Sequence, residues 1–106
     1  MLFGLFGKMT AVEGQRDTLA ANLLRVAELM RGAPGCLLYV VSTSAAEPHD
    51  VLVTEIWRDE SSHGASLSMP GVRKLIEETM PLLADAPEGT RFTPLGGKGL
   101  DSLGAT

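Results

Sequence analysis

Cysteine is almost missing from this chain. Cys36 stands alone among 106 residues, so no intrachain disulfide can form and nothing points to an oxidising compartment. Histidine is nearly as scarce, with His49 and His63 only. Two histidines and one cysteine cannot supply the four ligands of a Cys/His structural zinc site, so no metal site is expected. Basic residues are outnumbered, 9 Lys+Arg against 13 Asp+Glu, and the net charge is -4 with no basic run. Neither nucleic acid nor an anionic membrane is therefore an expected partner. Long apolar runs are missing as well. Beyond the N-terminus the longest is Cys36 to Val41, far short of the roughly 20 residues that span a bilayer. The opening MLFGLFGKMTAVEG has no basic n-region and no small-residue cleavage pattern, so it reads as fold and not as a signal peptide. A soluble, cytoplasmic protein is expected.

What is present is ordinary globular material: 44% hydrophobic and 21% charged, in a length that suits one domain. Residues 1–95 are read as that domain and 96–106 as a glycine-rich tail, loose unless a partner captures it. Gly96, Gly97 and Gly99 precede no helical pattern, so a phosphate-binding loop is not expected.

The hydrophobic period changes along the chain. Leu2 to Thr10 reads as a strand, in which Gly4 and Gly7 mark a bulge or a close backbone approach. From about Gln15, Leu19, Leu23, Val26, Ala27 and Met30 recur at one face of a helix, and Gly32, Pro34 and Gly35 end it. Cys36 to Ser42 and Val51 to Trp57 read as an antiparallel strand pair. Asp59 is placed to cap a short helix reaching Leu67, and Pro70-Gly71 punctuates the chain. Val72 to Leu83 is a second amphipathic stretch, which Pro81 interrupts near Met80. Thr90 to Leu95 forms a last strand. The order β-α-β-β-α-β, with the second helical element split, is the α+β ferredoxin-like arrangement: an antiparallel sheet with helices on one face.

That sheet poses a burial problem. Strand alternation puts Val51, Val53, Glu55 and Trp57 on one face and Leu52, Thr54 and Ile56 on the other; Cys36, Leu38 and Val40 likewise oppose Leu37, Tyr39 and Val41. Both faces are largely apolar, and the helices cover one. Leaving about five large apolar side chains in water forgoes on the order of 8–15 kcal/mol. A homodimer through the open sheet face follows as the expectation.

Several phrases now carry a family resemblance: PG-C-x-x-Y at Pro34 to Tyr39, E-x-W-x-D at Glu55 to Asp59, S-x-P at Ser68 to Pro70, and MPLLADAP from Met80. With Gly14 before the first helix, the chain resembles the antibiotic biosynthesis monooxygenase (ABM) domain, quinol-monooxygenase-like members included, over roughly residues 3–95. The resemblance implies a dimeric α/β barrel. It also implies oxygenation of a quinol or other electron-rich aromatic, without metal or flavin cofactor. There are departures from the pattern. Ser66 stands where quinol-monooxygenase-like members often have histidine, and His63 lies three residues earlier. Gly7, Ser66 and Ile76 occupy the positions of the Asn, Trp and His of the haem-degrading branch, and isoleucine cannot ligate iron. The alternative is a non-catalytic dimeric module of the same fold that binds a small ligand or serves a stress response.

Cofactor-free oxygenation asks for a dry pocket, a group that accepts a phenolic proton, and hydrogen-bond donors. His63 and Glu55 are the candidate catalytic residues: His63 by its intrinsic pKa, Glu55 because a carboxylate on an apolar strand must be paired or face a cavity. Asp59, four residues before His63, is placed to orient the imidazole. Trp57, Tyr39, Ser66 and Met80 are the candidate contacts to a small aromatic ligand. Each has a plainer role open to it: core filling for Trp57 and Tyr39, and ordinary packing for Met80. Cys36 reads as a small buried hydrophobe, and His49 as surface.

Overall fold

Alternation along the third strand decides which side of the sheet is buried. In the computed structural model, which describes residues 1–103, Val51, Val53, Glu55 and Trp57 are buried beneath the helices, while Leu52, Thr54 and Ile56 are half-exposed on the opposite face. The strands are β1 (Phe3–Thr10), β2 (Cys36–Thr43), β3 (Asp50–Trp57) and β4 (Glu88–Phe92), and the helices are α1 (Arg16–Met30), α2 (Glu60–Ser66) and α3 (Val72–Thr79). A 3-10 turn at Met80–Leu82 follows α3, with Pro81 inside it, so the second helical element ends where proline removes a donor. The sheet order is β2-β3-β1-β4, antiparallel throughout, and the fold is ferredoxin-like α+β. Among the described residues no helix is long and apolar enough to cross a membrane.

The core has two parts. Phe3, Val26, Met30, Trp57, Val72 and Leu75 pack together under one half of α1. Ala11, Leu19, Leu23, Val51 and Val53 form the second part. The segment after α3 is stitched to the end of β1: Val12 N–H donates to the Leu82 carbonyl at 2.8 Å and Ala84 N–H to that of Thr10 at 2.8 Å. This holds Leu83 against the second part of the core.

Three expectations change. In β2 the register shifts between Cys36 and Leu38, so Cys36 lies opposite Trp57 while Leu38 lies opposite Ile56. Leu37 is the extra residue of a bulge, which breaks strict alternation and turns Cys36 to the helix side, away from the face of Leu38 and Val40. The last strand starts at Glu88 instead of Thr90, because Glu88 pairs with Lys8 in the ladder and by an ion pair at 3.1 Å. It stops at Phe92, two residues before Pro94, which has no N–H for the ladder. The tail also folds back: Pro94, Gly96, Gly97 and Leu100 share a shallow depression with Leu38 and Ile56 on the open face. The last three residues of the tail, 104–106, lie outside the described residues.

Neither a bulge nor a second backbone explains the β1 glycines: Gly7 has ordinary spacing around it, and Gly4 makes room for a side chain. The Phe92 ring of β4 lies across Gly4, and any Cβ there would overlap the ring.

Candidate functional site

Between α1, α2, α3 and the sheet lies a cavity of about 230 Å³. Each element contributes by its own periodicity. β3 points Glu55 into it, and β2 places Tyr39 directly across the ladder from Glu55. α1 supplies Leu23, Val26 and Met30 from its buried stripe. α2 brings His63 and, one turn on, Ser66. α3 and its 3-10 turn add Val72, Ile76, Thr79 and Met80. The walls draw on both parts of the core, so the cavity occupies the seam where the two do not merge. It is apolar apart from the Ser66 and Thr79 hydroxyls, each bonded to a carbonyl of its own helix, and one polar corner.

That corner is made by Glu55, His63 and Tyr39. The Glu55 side chain is 11% exposed and that of His63 21%, and His63 Nε2 stands 3.8 Å from Glu55 Oε1. At that distance the two approach without a direct hydrogen bond. The same Oε1 accepts a hydrogen bond from Trp57 Nε1 at 3.0 Å. Burial raises the Glu55 pKa above its ordinary value, and the indole N–H partly offsets the rise. Burial lowers the His63 pKa, helped by the Arg91 guanidinium and opposed by Glu60. The two shifts run toward each other, so a proton held by one passes to the other at less cost than between the free side chains. Burial, reinforced by the Glu55 charge, pushes the Tyr39 phenol well above its usual range, so it stays protonated and keeps a hydrogen to donate.

His63 is held on two sides by aromatic rings. The Phe3 ring lies 5.4 Å away, tilted, and the Trp57 ring meets it edge-on at 5.5 Å. Arg91 sits over the outer face of Phe3 at 5.5 Å and pairs with Glu60 at 2.7 Å, tying β4 to the start of α2. Sequence reasoning did not single out Phe3 or Arg91. The Phe3 position was legible, since it shares a ladder rung and a face with Trp57. Arg91 carried no comparable signal.

Five of the six sequence-predicted residues, His63, Glu55, Tyr39, Ser66 and Met80, line this one cavity. Trp57 does not. It is fully buried at 0% exposure, and its polar edge is committed to Glu55. A stacking contact with a ligand is thus replaced by a role behind the carboxylate. The Ser66 hydroxyl donates to the His63 carbonyl at 2.6 Å, which ties it to its own helix. Asp59 is also corrected. Its carboxylate caps α2, accepting from Ser62 N–H at 2.8 Å and from Ser61 Oγ at 3.1 Å, and these bonds hold its pKa low. An N-cap side chain turns back to the first-turn amides and is spent there, so Glu55 and not Asp59 is the carboxylate facing His63.

The family model for antibiotic biosynthesis monooxygenase matches residues 3–78. The chain belongs to that family. A candidate antibiotic biosynthesis monooxygenase from Chloroflexus aurantiacus J-10-fl is 42% identical and superposes with a TM-score of 0.85, covering 93% of this chain and 98% of its own. Another, from Deinococcus radiodurans, is 27% identical with a TM-score of 0.78, over 92% of this chain and 95% of its own. Rv0793 from Mycobacterium tuberculosis, 18% identical, shares the fold with a TM-score of 0.83 over 93% of this chain and 100% of its own. No functionally curated protein matches the sequence.

Proposed function

We propose that this chain is a cofactor-independent monooxygenase acting on a quinol or another electron-rich aromatic. The observation that carries the proposal is the Glu55–His63 pair, 3.8 Å apart at the one polar corner of an apolar cavity. A phenolic hydroxyl lodged there loses its proton to neutral His63. The resulting phenolate is electron-rich and passes one electron to O2, and the radical pair recombines at ring carbon. The imidazolium returns its proton to the peroxide so formed, and O–O cleavage with loss of the ring C–H proton releases water and leaves one oxygen atom on the product as a carbonyl. In this scheme the proton-accepting step is the protein's own contribution, together with a dry pocket that leaves the phenolate poorly solvated and so a better electron donor. Tyr39 donates a hydrogen bond to the developing oxyanion. Trp57 fixes the Glu55 carboxylate.

The apolar open face of the sheet supports a homodimer as the working unit. Ser66, standing where related members often have histidine, favours a second reading, in which the same cavity binds an aromatic ligand without turning it over. Oxygen uptake by the purified protein across a panel of reduced benzoquinones and naphthoquinones separates the two. Uptake proportional to protein supports the reaction. A ligand that binds without uptake leaves the binding module.

A further inference from the structure

The reading of this cavity as the aromatic-binding site leaves open what shape of molecule it takes. An apolar cavity of about 150 Å³ is enough for one benzene ring. At about 230 Å³ this one encloses one ring or two fused rings, and a rigid third ring would stand in the mouth. The wall chemistry sets the charge: among the described residues no lysine or arginine lines it, and the Glu55 carboxylate repels an anion. Arg91, whose charge acts on His63, is paired with Glu60.

The mouth supplies the rest. Leu67 at the end of α2, Ile76 on α3 and Met80 on the 3-10 turn are 45%, 38% and 53% exposed, and all three belong to the lining of this cavity. Single exposed apolar side chains are ordinary, whereas three from separate elements gathered at one pocket mouth mark a surface that something apolar covers. They are continuous with the interior wall, so the cover that fits is part of the molecule inside.

We propose that the ligand is an uncharged one- or two-ring phenol or quinol whose hydroxyl meets Glu55 and His63, and whose flexible apolar substituent leaves through the mouth across Leu67, Ile76 and Met80. The proposal rests on the site assigned above and concerns binding alone, so it stands or falls separately from the reaction. Calorimetric titration without oxygen tests it with four probes: 1-naphthol, 4-pentyl-1-naphthol, 1-hydroxyanthracene and 1-naphthol-4-sulfonate. Each fully covered methylene is worth about fourfold in affinity. Partial cover of five carbons predicts that the pentyl compound binds about tenfold or more tighter than 1-naphthol. The tricyclic and the sulfonate bind more weakly than 1-naphthol. In Leu67→Ser/Met80→Ser the ratio between the pentyl compound and 1-naphthol falls to about twofold, and because both ligands are read on the same protein, a folding defect does not mimic this. Equal binding of the pentyl compound and 1-naphthol, strongest binding of the tricycle or the sulfonate, or no binding by any probe overturns the proposal. Binding in the expected order without oxygen uptake supports it and removes the reaction instead.

Discussion

Glu55 concentrates the physical tension of the site, being a carboxylate held under the helices with one indole N–H to stabilise its charge. Between the ordinary glutamate pKa and the raised folded value, the native state holds a proton that the unfolded chain has lost. Stability contributed by Glu55 is therefore lost as pH rises through that window. Glu55→Gln keeps an acceptor for Trp57 and has no proton to lose. Its melting temperature should match the parent's in acid and exceed it at pH 8, while turnover collapses; a variant less stable than the parent at pH 8 would overturn the burial account. His63 obeys the opposite sign. As a base with a lowered pKa it stays neutral, and active, further into acid than a free imidazole, and activity falls as pH drops through its pKa. His63→Ala should cost about 10²–10⁴-fold in rate. Trp57→Phe removes the donor to Glu55, so the Glu55 pKa should climb and the pH–rate profile should move with it. A role in core packing alone would leave the profile in place. Most of this corner was legible in the sequence: a glutamate on an apolar strand signals a cavity or a partner, and a lone histidine on the next short helix was the base within reach. What the residues could not reveal was that Trp57 serves the carboxylate and not the ligand, because the direction of an indole N–H depends on packing.

Elements, more than residues, decide where His63 stands. α2 has only seven residues and depends on its start: Asp59 caps it, and the Gly35 turn lies against it. Gly35 has φ +82°, and a Cβ there would come within 2.5 Å of Ser62 Oγ. Gly35→Ala should destabilise the fold by about 1–2 kcal/mol or more from the left-handed backbone alone, read by urea unfolding. It should also shift α2 and weaken binding of an aromatic ligand. Asp59→Ala should lower the melting temperature and leave the pH dependence of turnover unchanged, because its oxygens meet Ser61 and Ser62 and not the imidazole. A displaced pH profile in that variant would restore the orienting role. Spacing alone misassigned Asp59, since a residue four before another shares its face only if both are inside the helix, and an N-cap is not. The β2 bulge escaped for a related reason. CLLYVV is apolar at every position, so alternation carries no information about where an extra residue enters. β3 was easier to read because Glu55 and Thr54 break the run, and its two faces came out as the pattern implied.

At the scale of the molecule, the helices bury one face of the sheet and the chain's own tail touches part of the other. The rungs left open run Phe92–Gly4–Ile56–Leu38 and Thr90–Phe6–Thr54–Val40. Phe6, Val40 and Phe92 are exposed there, while Leu38 and Ile56 are half-covered beside Leu100 and Leu103 of the folded-back tail. Among the described residues nothing covers the central rung at Phe6 and Val40, so the hydrophobic gain from pairing two copies remains available there. These two positions make the decisive test of assembly. In one chain their side chains already meet water, so a carboxylate costs the isolated fold little. In a face-to-face dimer the same carboxylate would be buried opposite its symmetry mate without a cation, a strongly destabilising placement. Val40→Asp should therefore stay folded by circular dichroism, yet scatter light as a species near 11.2 kDa where the parent scatters at about twice that mass at micromolar concentration. A parent already monomeric at that concentration would sink the dimer. A Val40→Asp protein that keeps the doubled mass would move the interface to another surface. Because the cavity opens on the helix side, the monomeric variant should still bind aromatic ligands, and any loss of affinity measures how far pairing of the sheets steadies β3 beneath Glu55.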